Sequence, residues 1–150
     1  MNIKYRTAKT EDVARCIAIR GMTRQNPMSV EDLQQFGVTE HSWKSNMEQQ
    51  HTIGVVLEHD DQIIGFCFGD TSTGEVQSLA LLPEYEGHGY GKALLLQLME
   101  QLFSQGFEKL WLAASPHAEI RAHGFYRHLG WTATGKKDAH GDELLVYVKS

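Results

Sequence analysis

Apolar and polar residues change rhythm several times along the chain, and each change marks an element. "IKYRTA" alternates as a strand does, and Thr10 followed by Glu11 and Asp12 reads as a helix N-cap with acids in the first turn. Val13, Ile17 and Arg20, with Ala14, Ala18 and Gly21, form a stripe at helical spacing. "RQNPMSVEDL" breaks this helix and caps another at Ser29, opening a second helical region that runs to "SWKSNMEQQ". "TIGVVLEHDDQIIGFCFGD" holds two strand-like runs around "HDD", which suits a hairpin turn. A third strand, "GEVQSLALL", ends at Pro83.

A glycine loop then leads into "GYGKALLLQLMEQLF", helical from Gly89 to Leu102 with Gly106 as its stop, and "EKLWLAAS" resumes as a strand. Strand, loop, helix, strand is a βαβ unit, for which a right-handed connection is expected. Residues 118 to 129 make a further helix ended by Gly130, and "WTATGKK" and "ELLVYVK" are two closing strands around "DAHGD". No repeat, low-complexity tract or linker interrupts the order. Residues 1–150 are therefore expected to form one α/β domain, a mixed sheet with helices on both sides.

A hydrophobic content of 41% fits one globular core, and a formal net charge of -5 with interspersed signs argues against binding nucleic acid phosphates. No apolar stretch approaches the ~20 residues of a membrane span. "MNIKYRTAKTED" turns polar too early for a signal peptide, so a soluble, cytoplasmic protein is expected. Cys16 and Cys67 lack C-x-x-C spacing and read as small buried apolar residues. The eight histidines are scattered, and His123 and His128 are five apart without an H-E-x-x-H motif, so no functional metal is expected.

The chemistry concentrates in "EGHGYGKALL", residues 86 to 95, where three alternate glycines precede the helix. A helix N-terminus offers unpaired N–H groups and partial positive charge, and glycines let an anion approach the backbone. A tight turn with close helix–sheet packing would call for the same glycines. A magnesium-binding ATP loop is excluded, because only three residues separate Gly87 from Gly91 and Lys92 is followed by Ala93. The dinucleotide fingerprint fits poorly, since the third glycine is one position early and "PEYE" intervenes after the strand.

"GEVQSLALLPEYEGHGYGKALLLQLMEQL" resembles the acetyl-CoA-binding core of the GNAT superfamily of N-acyltransferases. That signature is Arg or Gln, two residues, Gly, one residue, then Gly or Ala; its slots here are Glu86, Gly87, His88, Gly89, Tyr90 and Gly91. Glu86 is a departure, an acid where the family has Arg or Gln, and a carboxylate near a pyrophosphate is unfavourable unless it points away. Lys92 is a candidate compensating charge, or a solvated lysine of the first turn. "EIRAHGFYRHLGW" resembles the family's later segment through Ala122, Phe125, Tyr126, Leu129, Gly130 and Trp131, with Glu119 replacing a common Asn. The two matches stand in the right order with a strand between them.

The resemblance implies a largely antiparallel mixed sheet around the βαβ unit and acetyl transfer from acetyl-CoA to a primary amine of a small molecule or a protein. It implies that backbone amides from Gly87 to Lys92 hold the pyrophosphate and that Leu79, Ala80 and Leu81 pair with the pantetheine arm, an amide near Leu81 polarising the thioester. Tyr126 stands where the family keeps a tyrosine that protonates the thiolate, and a phenol with a pKa near ~10 is a donor at neutral pH. An aromatic packed beside Phe125 would look the same. Glu75 is the candidate general base and His117 its rival, with a solvent-facing strand residue as the plain alternative for Glu75. Arg20, Arg24, Met22, Met28, Phe36 and Trp43 could line an acceptor cleft or simply pack a helix pair on a sheet. A dimer through the closing strands is a family-level expectation. A non-catalytic acyl-CoA-binding module on the same fold is the competing reading, suggested by Glu86.

Overall fold

The computed structural model describes residues 2–24, 27–118 and 120–150. In chain order it contains β1 (Ile3–Thr7), α1 (Val13–Arg20), α2 (Val30–Gln35), α3 (Glu40–Glu48), β2 (Thr52–His59), β3 (Gln62–Asp70), β4 (Val76–Leu81), α4 (Tyr90–Ser104), β5 (Lys109–Ala114), α5 (Arg121–His128), β6 (Thr132–Lys137) and β7 (Glu143–Val148). Short 3-10 turns at Thr10–Asp12 and Pro83–Tyr85 precede α1 and the glycine loop.

The strands form two antiparallel sheets, one ordered β1-β2-β3-β4 and the other β5-β7-β6. The hairpin anticipated at "HDD" is the β2–β3 turn, where Asp60 and Asp61 take φ of 49° and 69°, the left-handed pair that matches strand twist. The sheets meet at one parallel bridge, Glu75 with Trp111, where the Trp111 N–H donates to the Gly74 carbonyl at 3.2 Å. Among the described residues, parallel pairing in the βαβ unit is confined to this point.

β3 explains why helices cover both faces of the larger sheet. A Cβ at Gly65 would touch Leu94 of α4, and one at Gly69 would touch Leu98 and Leu102, so this face receives α4. Phe66 and Phe68 point the other way and meet Trp43 of α3 edge-on, with ring centroids 5.9 and 5.0 Å apart. Leu94, Leu95, Leu98 and Leu102 are fully buried, each contributing about 1.5–3 kcal/mol by leaving water. Leu110, Leu112, Trp131 and Leu145 of the smaller sheet's neighbourhood join the same hydrophobic cluster. Cys16 and Cys67 are buried in it as free thiols, and burial raises both above the ordinary thiol pKa.

Three boundaries differ from the sequence reading. Thr10 is not the N-cap: it begins a 3-10 turn capped at Lys9, whose backbone N–H donates to Asp12 at 2.7 Å. Asp12 is claimed there because Arg6 of β1 also binds it through two N–H groups, at 2.8 and 2.9 Å. Glu75 precedes β4 rather than opening it. The last helix starts at Arg121, not residue 118, after Ile120 in extended conformation, and ends before Gly130 at φ 102°. Glu119 lies outside the described residues.

Candidate active site

Past the Glu75–Trp111 bridge, β4 and β5 diverge and leave a cleft of about 700 Å³. That volume lies within the range of small-molecule sites. Each wall is a strand edge. The Leu82 N–H donates to Ile64 at 2.9 Å, and successive residues of a strand alternate sides. Leu79 and Leu81 therefore turn their N–H and C=O groups away from β3 and into the cleft, while Ala80 faces β3. On the far wall Trp111 faces Gly74, so Ala113 also turns its backbone inward. An extended amide-bearing ligand placed between them could hydrogen-bond as a strand does.

The glycine loop forms one end of the cleft. Gly87 and Gly89 have φ of 82°, a left-handed conformation that most side chains resist, and a Cβ on either would meet nothing within 4 Å. The loop backbone is thus open to a ligand. Gly89 is also the N-cap of α4 and has no side chain to cap it. The first intrahelical bond is Ala93 N–H to Gly89, which leaves the amides of Tyr90, Gly91 and Lys92 unpaired within the helix. Among the described residues, four cationic side chains line the cleft (Arg20, Arg24, Lys92 and Arg121) against two acids, Glu86 and Asp142. The chain is acidic overall, so its cleft has the opposite charge balance, as anion binding requires.

Tyr126 lines the same cleft from α5. Its ring packs edge-on against Phe125 at 5.2 Å and Trp131 at 6.1 Å, which restricts its direction. Burial pushes its phenol well above the ordinary value, and neighbouring Cys67 adds to the shift, so the hydroxyl keeps its proton and can donate. The Trp131 indole N–H, which is buried, has no hydrogen-bond partner among the described residues.

Leu79, Ala80, Leu81, Glu86, Gly87, Gly89, Tyr90, Gly91, Lys92 and Tyr126 all line this one cleft, as does His117. Two candidates from the sequence stand apart. His88 is exposed and stacks obliquely on Tyr90 at 5.6 Å, away from the lining. Glu75 is not among the lining residues either; burial raises its pKa, with Asp70 and Asp138 pushing the same way. Of the proposed acceptor residues, Arg20 and Arg24 reach the cleft, whereas Trp43 packs on the core. Phe36 is exposed and meets His140 edge-on at 5.0 Å.

The sequence reading missed Arg121, Asp142 and the partners of Glu86. The Glu86 Oε2 accepts from Arg24 Nε at 3.0 Å and from Arg121 Nη1 at 2.6 Å, residues 62 and 35 positions away. Only the acid's odd slot hinted at a partner. Among the described residues, no three His, Cys, Asp or Glu side chains converge as metal ligands, and no helix is long and apolar enough to cross a membrane.

The model of the acetyltransferase (GNAT) family matches residues 20–131. The [ribosomal protein bS18]-alanine N-acetyltransferase of Haemophilus influenzae is 38% identical over 69 residues, 45% of this chain and 47% of that protein. An uncharacterized N-acetyltransferase of Mycobacterium tuberculosis is 31% identical over 102 residues, 63% of this chain and 65% of that one. The matches thus span from about half to just under two thirds of these curated relatives. Among solved structures, the PaiA N-acetyltransferase from Thermoplasma acidophilum in complex with coenzyme A superposes with a TM-score of 0.81 at 19% identity, covering 99% of both chains. The ribosomal-protein-S18-alanine N-acetyltransferase from Escherichia coli gives 0.73 at 19% identity, covering 99% of this chain and 95% of that one.

Proposed function

The chain belongs to the GNAT family of acetyltransferases, and from that premise we infer that it transfers an acetyl group from acetyl-CoA to a primary amine of a small molecule or of a protein. The observation that carries the inference is the cleft itself, with two free strand edges leading from an uncapped helix N-terminus to the Tyr126 side chain. The donor fits the residues present: the open backbone at Gly87 and Gly89 admits a diphosphate, and the cationic lining balances its charge.

When bound, acetyl-CoA supplies a thioester acyl group. A C–N bond forms, the C–S bond breaks, the amine gives up a proton and the departing sulfur takes one. The amides of Tyr90, Gly91 and Lys92 hold the diphosphate end, and the Leu79 and Leu81 backbones align the extended arm, which limits the reacting carbonyl to one position. An N–H of this edge near Leu81 stabilises charge developing on the carbonyl oxygen. Tyr126 donates the proton to sulfur. His117, on the cleft lining, is the better placed acceptor for the amine proton. Glu75, off the lining, could act only through intervening water.

The competing binding-module reading rested on an acid disturbing the phosphate site, and the pairing of Glu86 with two arginines removes that ground. The relatives named above whose names give an acceptor are both alanine N-acetyltransferases of a ribosomal protein, so protein amino groups belong in the test beside small-molecule amines. A thermal-shift series with acetyl-CoA, coenzyme A, ATP and NAD comes first. A ligand at ~100 times its dissociation constant adds about 2.7 kcal/mol, so a shift with the two coenzyme A species alone supports the reading. Thiol release against a panel of amines and N-terminal peptides then finds the acceptor. A shift with ATP or NAD only would overturn it.

A further inference from the structure

Glu86 occupies the slot at which the resemblance leads one to expect Arg or Gln, yet its side chain is only 18% exposed and one of its carboxylate oxygens is shared by two guanidinium groups. Arg24 comes from the loop after α1, and Arg121 is the first residue of α5; their side chains are 61% and 58% exposed. All three line the cleft beside the glycine loop. Among the described residues, two guanidiniums thus share this one carboxylate beside the loop. Without the acid, the two guanidiniums lose the contact that draws them together, and long exposed side chains are costly to hold in one geometry.

Resting on the acetyl-CoA reading, the geometry points to Glu86 as a positioning residue: it holds Arg24 and Arg121 over the glycine loop, where they take the phosphate charge of coenzyme A in place of a cation in the motif itself. A guanidinium presents its N–H donors in a planar fork that pairs well with phosphate oxygens. The acid therefore recruits charge to the anion site. This arrangement also avoids setting an unpaired carboxylate against the diphosphate.

Calorimetric titration of the full chain with coenzyme A tests the assignment, using Arg24→Ala, Arg121→Ala, the double variant, Glu86→Gln, and Glu86→Gln added to the double variant. Each arginine variant should weaken binding about tenfold, the scale of a charge-assisted hydrogen bond. Glu86→Gln should weaken it too, and should add nothing on top of the double variant, because it acts through the arginines. Melting midpoints without ligand should stay close to wild type, as exposed ion pairs contribute little to stability. Arg121→Lys, which keeps the charge and loses the fork, should fall between wild type and Arg121→Ala. Dephospho-coenzyme A separates the phosphates: a loss that vanishes with it assigns the arginines to the ribose phosphate, and a loss that persists assigns them to the diphosphate. Tighter binding in Glu86→Gln, or unchanged binding in the double variant, overturns the assignment while the cofactor reading stands. Wild-type protein that binds no coenzyme A overturns both.

Discussion

Glu75 and Trp111 pair as an isolated parallel bridge at the point where the two sheets part. The bridge holds the closed end of the wedge that becomes the cleft, and it draws the Glu75 carboxylate into partly buried surroundings near Asp70 and Asp138. Burial and these two acids raise its pKa, so the folded state binds this proton more tightly than the unfolded chain does.

The sign of the consequence follows from linkage. A raised folded pKa gives stability that is complete below the unfolded carboxylate value and is lost as pH rises through the folded one. Glu75→Gln should therefore melt above wild type at neutral pH, and the gap should close as pH falls below about 4.5. Melting curves across that range check this, and a variant less stable at neutral pH would contradict it. In thiol-release assays His117→Ala should lose more activity than Glu75→Gln.

Tyr126→Phe removes the phenol and keeps the ring contacts with Phe125 and Trp131. Turnover should fall about a hundredfold, the scale of one general acid, with little change in coenzyme A affinity. Because burial holds the phenol protonated well past its ordinary range, the alkaline limb of the wild-type profile should not report Tyr126. Single-turnover thiol release and titration calorimetry separate the two effects.

Gly54 of β2 stands opposite Phe68, and a Cβ placed on it would lie 2.4 Å from that ring. Phe68 cannot readily give way, being pinned between Phe66 and Trp43. Gly54→Ala should cost about 1–3 kcal/mol, the usual range for overpacking, measured by urea unfolding.

Alternation along β4 separates its amides into two classes. Ala80 faces β3, whereas Leu79 and Leu81 face the cleft. Hydrogen exchange without ligand should be slow at Ala80 and fast at its two neighbours, and coenzyme A should protect Leu79 and Leu81 selectively. Equal protection of all three without ligand would mean that the edge is already paired.

What the sequence disclosed was local. The "HDD" hairpin, the Ser29 cap and the glycine loop each depend on residues a few positions apart, so propensity and turn chemistry suffice to find them. Thr10 misled because Arg6 and the Lys9 amide both claim Asp12, which moves the start of the turn by one residue. Glu75 was a strand residue on paper, yet the register shift between Phe68 and Gly69 changes how β4 begins, and no residue pattern reports such a shift. The partners of Glu86 lie on separate elements brought together only by folding. The separation of β5, β6 and β7 into their own sheet was equally hidden, since it depends on pairing between distant segments.

Beyond their single bridge, β4 and β5 turn backbone edges toward each other across the cleft. Free edges invite other chains to pair with them, but here the gap is walled by the start of α4 on one side and by Ala122 and Phe125 of α5 on the other. On the acetyl-CoA reading the co-substrate would double as a removable piece of architecture, and the protein's resistance to association should follow its supply. Light scattering on slow heating, with and without coenzyme A, measures that dependence, and coenzyme A should delay the onset.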